Sequence, residues 1–338
     1  MARPRLTKIF GILALLLLVL ITLGITFTIG WRPFIGAKAR PVTERHFEST
    51  PDRLARGKYL VEAVNGCVGC HSPADISKPG APYQEGKEGA GEVWPDKQLP
   101  WLVAPNITSD KETGIGNWSD DVLARAIREG IGHDGRALFP VMPYTNFRSM
   151  SDDDLASVIV YIRTLPPIKS QLPQTRIPFP LSFLIKSMPE PINGPVAPPD
   201  SSTAVSRGAY LVKMGSCGDC HTPQERGQPI AGMEFAGGFA LNLPTGTIAT
   251  TNITPDVTGI SYYDENLFLR AMHEGKVGAR QLNAAMPWWY FGKMNDDDLR
   301  SIFAFLKSLK PVSHRVDNVE PPTECKRCRQ KHGLGDKN

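Results

Sequence analysis

The sequence predicts a mainly α chain, with an apolar N-terminal helix followed by two tandem copies of one small domain. Three observations predict it. The run from Ile9 to Ile29 contains no charged residue. The six cysteines fall into three C-x-x-C pairs, and the first two pairs are each followed directly by histidine. Those two pairs sit at equivalent places in an internal repeat, whose copies show the same helix signals in the same order and no sustained strand alternation.

The 338 residues are a soft prior for two to three domains. A formal net charge of +4, with no block of like charge, gives no argument for a nucleic-acid partner. Glycine (31) and proline (30) are abundant, which argues for much loop between short elements.

At the N-terminus, Arg3, Arg5 and Lys8 precede the apolar run, and Trp31 follows it. A bilayer span needs ~20 apolar residues and favours an aromatic ring at its edge. The competing reading is a cleaved signal peptide, with Ala37-Lys38-Ala39 as the cleavage site. The apolar run is longer than the ~7–15 residues of a signal core, which favours an uncleaved anchor. Either reading sends the following residues across the membrane.

The repeat is visible by eye. Arg56-Gly-Lys-Tyr-Leu-Val61 returns as Arg207-Gly-Ala-Tyr-Leu-Val212, and Gly66-Cys-Val-Gly-Cys-His-Ser-Pro73 as Ser216-Cys-Gly-Asp-Cys-His-Thr-Pro223. Asn106-Ile-Thr108 returns as Asn252-Ile-Thr254, Thr113-Gly-Ile115 as Thr258-Gly-Ile260, and Met142-Pro143 as Met286-Pro287. Met150 with Asp152 to Asp154 returns as Met294 with Asp296 to Asp298. Each copy should open with a helix, capped in the first by Thr50 with Pro51 as its first residue. A middle helix should run from the cap Ser119 through Glu129 to a stop at Gly130. A closing helix should run from the cap Ser151 through Leu165 to Pro166, and in the second copy from Asn295 to Pro311. The acidic first turns complement the helix dipole. Between the copies, Pro166 to Pro199 reads as an extended spacer. Its Phe179, Leu181, Phe183, Leu184 and Ile185 should pack against a domain. The boundaries that follow are 1–40 for tip, span and junction, 41–168 for the first domain, 169–204 for the linker, 205–315 for the second domain and 316–338 for the tail.

C-x-x-C-H is the attachment signature of c-type haem. On one helical turn both cysteines share a face and can reach two vinyl groups of one porphyrin, while the histidine offers a ring nitrogen to the iron. Cys67, Cys70 and His71 form one such site, and Cys217, Cys220 and His221 the other. Two disulfides with bystander histidines would not require a histidine at that fixed place. The sixth iron ligand must come from elsewhere, and the first copy offers Met142, Met150 and His133. Met150 and Met294 have another explanation, as hydrophobic staples before the caps Ser151 and Asn295. His133 has no aligned histidine, since His273 falls earlier. Met142 and Met286 each precede a proline that holds them in extended backbone, so these are the expected ligands.

The chain from about residue 50 to 312 resembles tandem class I-type cytochrome c domains. It is most similar to the multihaem cytochrome subunit of membrane-bound periplasmic alcohol and gluconate dehydrogenases. Cys67-Val-Gly-Cys-His71, Asn106-Ile-Thr108, Thr113-Gly-Ile115 and Met142-Pro143-Tyr144, with their partners in the second copy, carry the likeness. The resemblance implies two haem c groups, His/Met ligation and helical domains around each haem. It also implies electron relay from a periplasmic or membrane-bound oxidoreductase or a quinol-oxidising partner to a downstream oxidase or cytochrome. The location expected is the bacterial inner membrane, single-pass, with the haem domains on the periplasmic side. A di-haem peroxidase and a haem-bearing docking subunit are the alternatives. The segment after Pro311 is too short for the third haem domain that related subunits carry. It holds Cys325-Lys-Arg-Cys-Arg329, with arginine where the iron-binding histidine would stand. A small disulfide is expected there, with His332 leaving a metal site as the alternative. Asn106, Asn117 and Asn252 match the glycosylation pattern but read as loop residues near the haems.

Overall fold

The computed structural model describes residues 3–94, 102–243 and 246–338, with side chains from residue 7 onward. The side chains of Arg3 and Arg5, named above as preceding the apolar run, lie outside the described residues. The N-terminal helix runs Arg3–Phe27. Its 21-residue stretch Thr7–Phe27 has a mean hydropathy of 2.8 and none of it is buried against the protein, so by length and composition it can cross a membrane.

Beyond it, helices dominate and follow the repeat. The opening helix of the first copy, Pro51–Tyr59, starts where the Thr50 hydroxyl accepts from the Arg53 N–H, with proline at its first position. It continues as one wide turn, Leu60–Val64, closed by the Asn65 N–H on the Leu60 carbonyl at 2.7 Å. The middle helix Asp120–Glu129 is capped by Ser119 and ends on Gly130 in the left-handed region. The closing helix Asp152–Ile162 is capped by Ser151. It stops three residues earlier than expected. Leu165, next to Pro166, is kept out of helical backbone, and the intervening residues tighten into i to i+3 turns. The second copy repeats all three, as Ala204–Met214 capped by Thr203, Glu265–Glu274 capped by Asp264, and Asp296–Ser308 capped by Asn295.

In both copies the opening helix crosses the closing helix, and a glycine makes the crossing possible. A Cβ at Gly57 would stand 1.9 Å from the Ser157 carbonyl oxygen, and one at Gly208 would stand 1.9 Å from that of Ser301. Arg56 clasps Asp154 through two bonds of 2.8 and 3.0 Å, and Arg207 meets Asp298 at 2.5 Å. The tyrosines of the same motif reach across to the other copy. The Tyr59 hydroxyl donates to Asp298 at 2.6 Å, and the Tyr210 hydroxyl donates to Asp154 at 2.7 Å. Each also accepts, from the Asn295 and Ser151 backbone N–H respectively, at 3.3 Å. The contact is therefore reciprocal, and a single hydrophobic core runs through both copies.

Short antiparallel ribbons supplement the helices. Glu92–Trp94 pairs with Leu102–Ala104, Ala240–Leu243 with Gly246–Ala249, and Asp317–Glu324 with Lys331–Gly333. The linker is largely irregular, with one turn at Leu181–Leu184. Ile185 is buried, and Phe183 meets Phe34 edge to face at 4.8 Å. Phe179, expected to pack, is 80% exposed, and Leu181 and Leu184 are more than a third exposed. The segment packs beside the Arg32–Ile35 turn that follows the apolar helix, and Leu181, Leu184 and Ile185 also line the large cavity between the copies.

Candidate functional site

The two C-x-x-C-H motifs line one continuous cavity of about 2380 Å³. A single ligand pocket measures ~300–1,000 Å³, so this space is large for one small ligand. Its walls are largely apolar, with Ile115, Leu123, Ile127 and Phe147 from the first copy and Ile260, Phe268, Met272 and Phe291 from the second.

Each motif forms one helical turn, Cys67–Cys70 and Cys217–His221, entered through a left-handed residue, Gly66 at φ 60° or Ser216 at φ 54°. The turn brings both cysteines to one face, as their spacing predicts. The histidine carbonyl then accepts from a glycine N–H at 2.7 Å in both copies, from Gly91 for His71 and from Gly237 for His221.

The repeated Asn-Ile-Thr segment has a physical role that its sequence does not disclose. Asn106 Oδ1 accepts from the Thr108 N–H and hydroxyl at 2.9 and 2.7 Å, while Nδ2 donates to Thr113 Oγ1 and to the Ile168 carbonyl. Asn252 makes the same set with Thr254, Thr258 and the Val312 carbonyl. Both asparagines are buried, which removes them as glycosylation acceptors. The turn they fix aims the preceding carbonyl at the motif histidine. His71 Nδ1 lies 2.7 Å from Pro105 O, and His221 Nδ1 lies 2.8 Å from Thr251 O. With Nδ1–H donating there, Nε2 carries the free lone pair, the arrangement a metal-ligating imidazole requires. Burial lowers the pKa of both rings, against a smaller opposing effect of the carbonyl, and favours the neutral form.

Met142 and Met286 also line the cavity. In both copies the following proline is the centre of a three-residue turn, with Tyr144 N donating to Met142 O and Trp288 N donating to Met286 O, each at 2.7 Å. The ring after the proline packs on the glycine that stops the middle helix, Tyr144 on Gly130 and Trp288 on Gly275. Met150 and Met294 are core residues beside their caps. Met150 touches the cavity wall, but its counterpart Met294 does not. His133 stacks on Trp118 at 4.4 Å, and His273 bonds Gly292 O and Asp296. Of these candidates, only the Met-Pro methionines line the cavity in both copies.

The two motifs abut. Asn146, on the turn after Met142-Pro143, donates to Ser216 Oγ and Asp219 at the second motif. Reciprocally, the Tyr290 ring on the turn after Met286-Pro287 covers Gly66 and Gly69, leaving a Cβ at Gly66 only 2.5 Å from its Cζ.

His314 joins the C-terminal cysteines although it carries no motif of its own. Where a disulfide was expected, Cys325 and Cys328 are free thiols, buried with His314 and His332 in one cluster.

A donor set of paired thiols, an Nε2-directed imidazole and a thioether on an apolar cavity fits covalent haem. Residues 54–166 match the cytochrome c family model. The cytochrome c subunit of alcohol dehydrogenase (quinone) from Gluconobacter oxydans is 29% identical over 84% of this chain and 61% of its own length. The gluconate 2-dehydrogenase cytochrome c subunit of Pantoea cypripedii is 30% identical over 76% of this chain and 59% of its own. This chain thus spans about three fifths of either relative. A diheme cytochrome c-type protein of Cereibacter sphaeroides is 27% identical over 79% of this chain and 89% of its own length. The chain carries a cytochrome c domain, and over most of its length it is similar to the cytochrome c subunits of alcohol and gluconate dehydrogenases and to a dihaem c-type cytochrome.

Proposed function

We propose that the chain is a membrane-anchored dihaem cytochrome c, built from two tandem cytochrome c domains, that relays electrons from a dehydrogenase or quinol-oxidising partner to a downstream oxidase or cytochrome. The observation that carries this is the duplicated site. Cys67, Cys70, His71 and Met142 in one copy, and Cys217, Cys220, His221 and Met286 in the other, face one cavity with the same supporting bonds. Haem iron held by histidine and methionine supplies reversible one-electron transfer. The protein's part is to fix both ligands on rigid turns, exclude water with apolar walls and hold the two motifs side by side. With His71 and Met142 holding one haem iron and His221 and Met286 the other, neither would keep an open position for substrate, and the chain would conduct without transforming one. An oxidoreductase partner is supported by the names of the relatives. The exposed apolar helix Thr7–Phe27 supports a single span, with the cavity on the far side of the membrane from Lys8.

The test is haem count and ligation. Denatured protein should retain two haems per chain by thioether bonds, and one haem, or haem extractable by acid and solvent, would overturn the reading. Met142→His should lower the potential of one haem and leave the other nearly unchanged, because thioether sulfur favours ferrous iron. The near-infrared sulfur-to-iron band of the oxidised protein should vanish in Met142→His, Met286→His. Its survival would refute the methionine assignment at both sites.

A further inference from the structure

Apart from the haem cavity, four metal-ligating side chains converge at the C-terminal ribbon, and electron relay makes no use of them. His314, Cys325, Cys328 and His332 each present one donor atom, and all four atoms lie within 4.8 Å of one another. Cys325 Sγ is 3.4 Å from His314 Nε2, and Cys328 Sγ is 3.3 Å from His332 Nε2. A tetrahedral zinc ion, with bonds of ~2.3 Å to sulfur and ~2.0–2.1 Å to nitrogen, sets neighbouring donors about 3.5 Å apart. All four residues are buried, at 0–3% exposure.

Both imidazoles are held for ligation by their other nitrogen. His314 Nδ1 lies 2.8 Å from the Ala236 carbonyl and His332 Nδ1 lies 2.9 Å from that of Gly333, which leaves each Nε2 lone pair for the cluster. The backbone is shaped around the same point. Arg329 N donates to Cys325 O at 2.8 Å and Cys325 N donates to Gln330 O at 2.9 Å, closing a tight turn on the cysteine pair. Gly238, at φ 86°, lies so close that a Cβ there would stand 2.6 Å from His314 Cε1 and 3.3 Å from Cys328 Sγ.

We propose that these four residues bind one zinc ion as a closed, structural Cys2His2 site. Two thiolates and two imidazoles suit a borderline-soft divalent ion, and four protein ligands leave no open position for catalysis. The ion fastens the C-terminal ribbon to the second copy. His314 comes from the segment just after the closing helix, Ala236 and Gly238 from the loop that leads into the Ala240–Leu243 strand, and the other three ligands from the ribbon. The same ribbon bonds Asn318 to both backbone groups of Ala249 at 2.8 Å and Arg329 to Glu225 at 2.6 Å. Val316 to Val319 form part of the wall of the haem cavity. Loss of the ion would loosen that wall without touching a haem attachment residue.

The test is metal analysis of the full chain, purified in detergent with its haems attached. One zinc per chain is expected, and X-ray absorption at the zinc edge, which haem iron does not obscure, should show two sulfur and two nitrogen ligands. Cys325→Ser, Cys328→Ser should abolish zinc while retaining covalent haem. If that variant fails to accumulate, the wild-type protein decides the matter by thiol titration. Two thiols should become reactive on denaturation with a chelator and without reductant. Thiols that appear only after reduction would show a disulfide and overturn the proposal. A chain free of zinc, or zinc bound only by nitrogen and oxygen, would overturn it equally.

Discussion

The reciprocal tyrosines give a measurable value for the coupling between the two copies. Tyr59→Phe deletes one phenol–carboxylate bond to Asp298 of 2.6 Å and the acceptor for the Asn295 N–H, while keeping the ring. Hydrogen bonds to charged groups contribute ~1.5–3 kcal/mol. The Asp298 carboxylate retains Arg207 and the Asn295 side-chain amide, so it is not left bare, and the lower end applies. About 1.5 kcal/mol corresponds to a roughly tenfold rise in opening between the copies. Tyr210→Phe should cost the same at Asp154. Arg56 senses both Asp154 and Asp298, so the double variant should depart from the sum of about 3 kcal/mol. Burial first, and then the carboxylate partner, raise both phenols above the ordinary tyrosine range, so the donor proton persists well above neutral pH. Hydrogen exchange on the full chain is the assay. Tyr59→Phe should speed exchange in Pro51–Tyr59 and in the first turn of Asp296–Ser308, on both sides of the lost bond. Faster exchange confined to the first copy, or a loss below about 0.5 kcal/mol, would refute a cross-copy bond of this strength.

Two further perturbations test the fold. Gly57→Ala and Gly208→Ala force a methyl onto a carbonyl 1.9 Å away, so each should cost ~3 kcal/mol or more and reduce haem incorporation, measured as haem-stained protein per chain. At Asp121, burial raises the carboxyl, but Arg40 and Thr43 overcome it and hold the pKa at about 2. Its folded value lies below the unfolded one of ~3.9, so its contribution is full above pH ~4 and is lost as pH falls toward 2. Asp121→Asn should flatten the acid limb of a stability-versus-pH curve, and an unchanged limb would place the acid sensitivity elsewhere.

What the sequence discloses and what it conceals divide by range. Thr50, Ser119, Ser151 and Asn295 are readable as caps because each accepts from the N–H three residues ahead, inside any local window. The Cys and His of each haem motif are readable for the same reason. Asn106 and Asn252 stand out as repeats, yet their task rests on carbonyls about sixty residues away, which no local pattern records. The partner of Tyr59 lies in the other copy, and duplication itself hides which copy a motif serves. His314 escaped notice because ten residues separate it from Cys325, outside the compact Cys-x-x-Cys signal. The ribbons are only two to eight residues per strand, too short or too interrupted by proline to give alternation. Phe179 was expected inside on its apolarity alone, but single exposed apolar side chains are ordinary.

The cross-copy bonds have the logic of a two-fold dimer. Donor and acceptor both belong to each copy, Tyr59 with Asp154 in one and Tyr210 with Asp298 in the other, so the interface is isologous although the chain is continuous. A single copy cut free would keep both halves of that handshake on its own surface. The linker keeps the two faces on one chain. It replaces a concentration-dependent meeting by a permanent local one, while the symmetry of the faces sets how they meet.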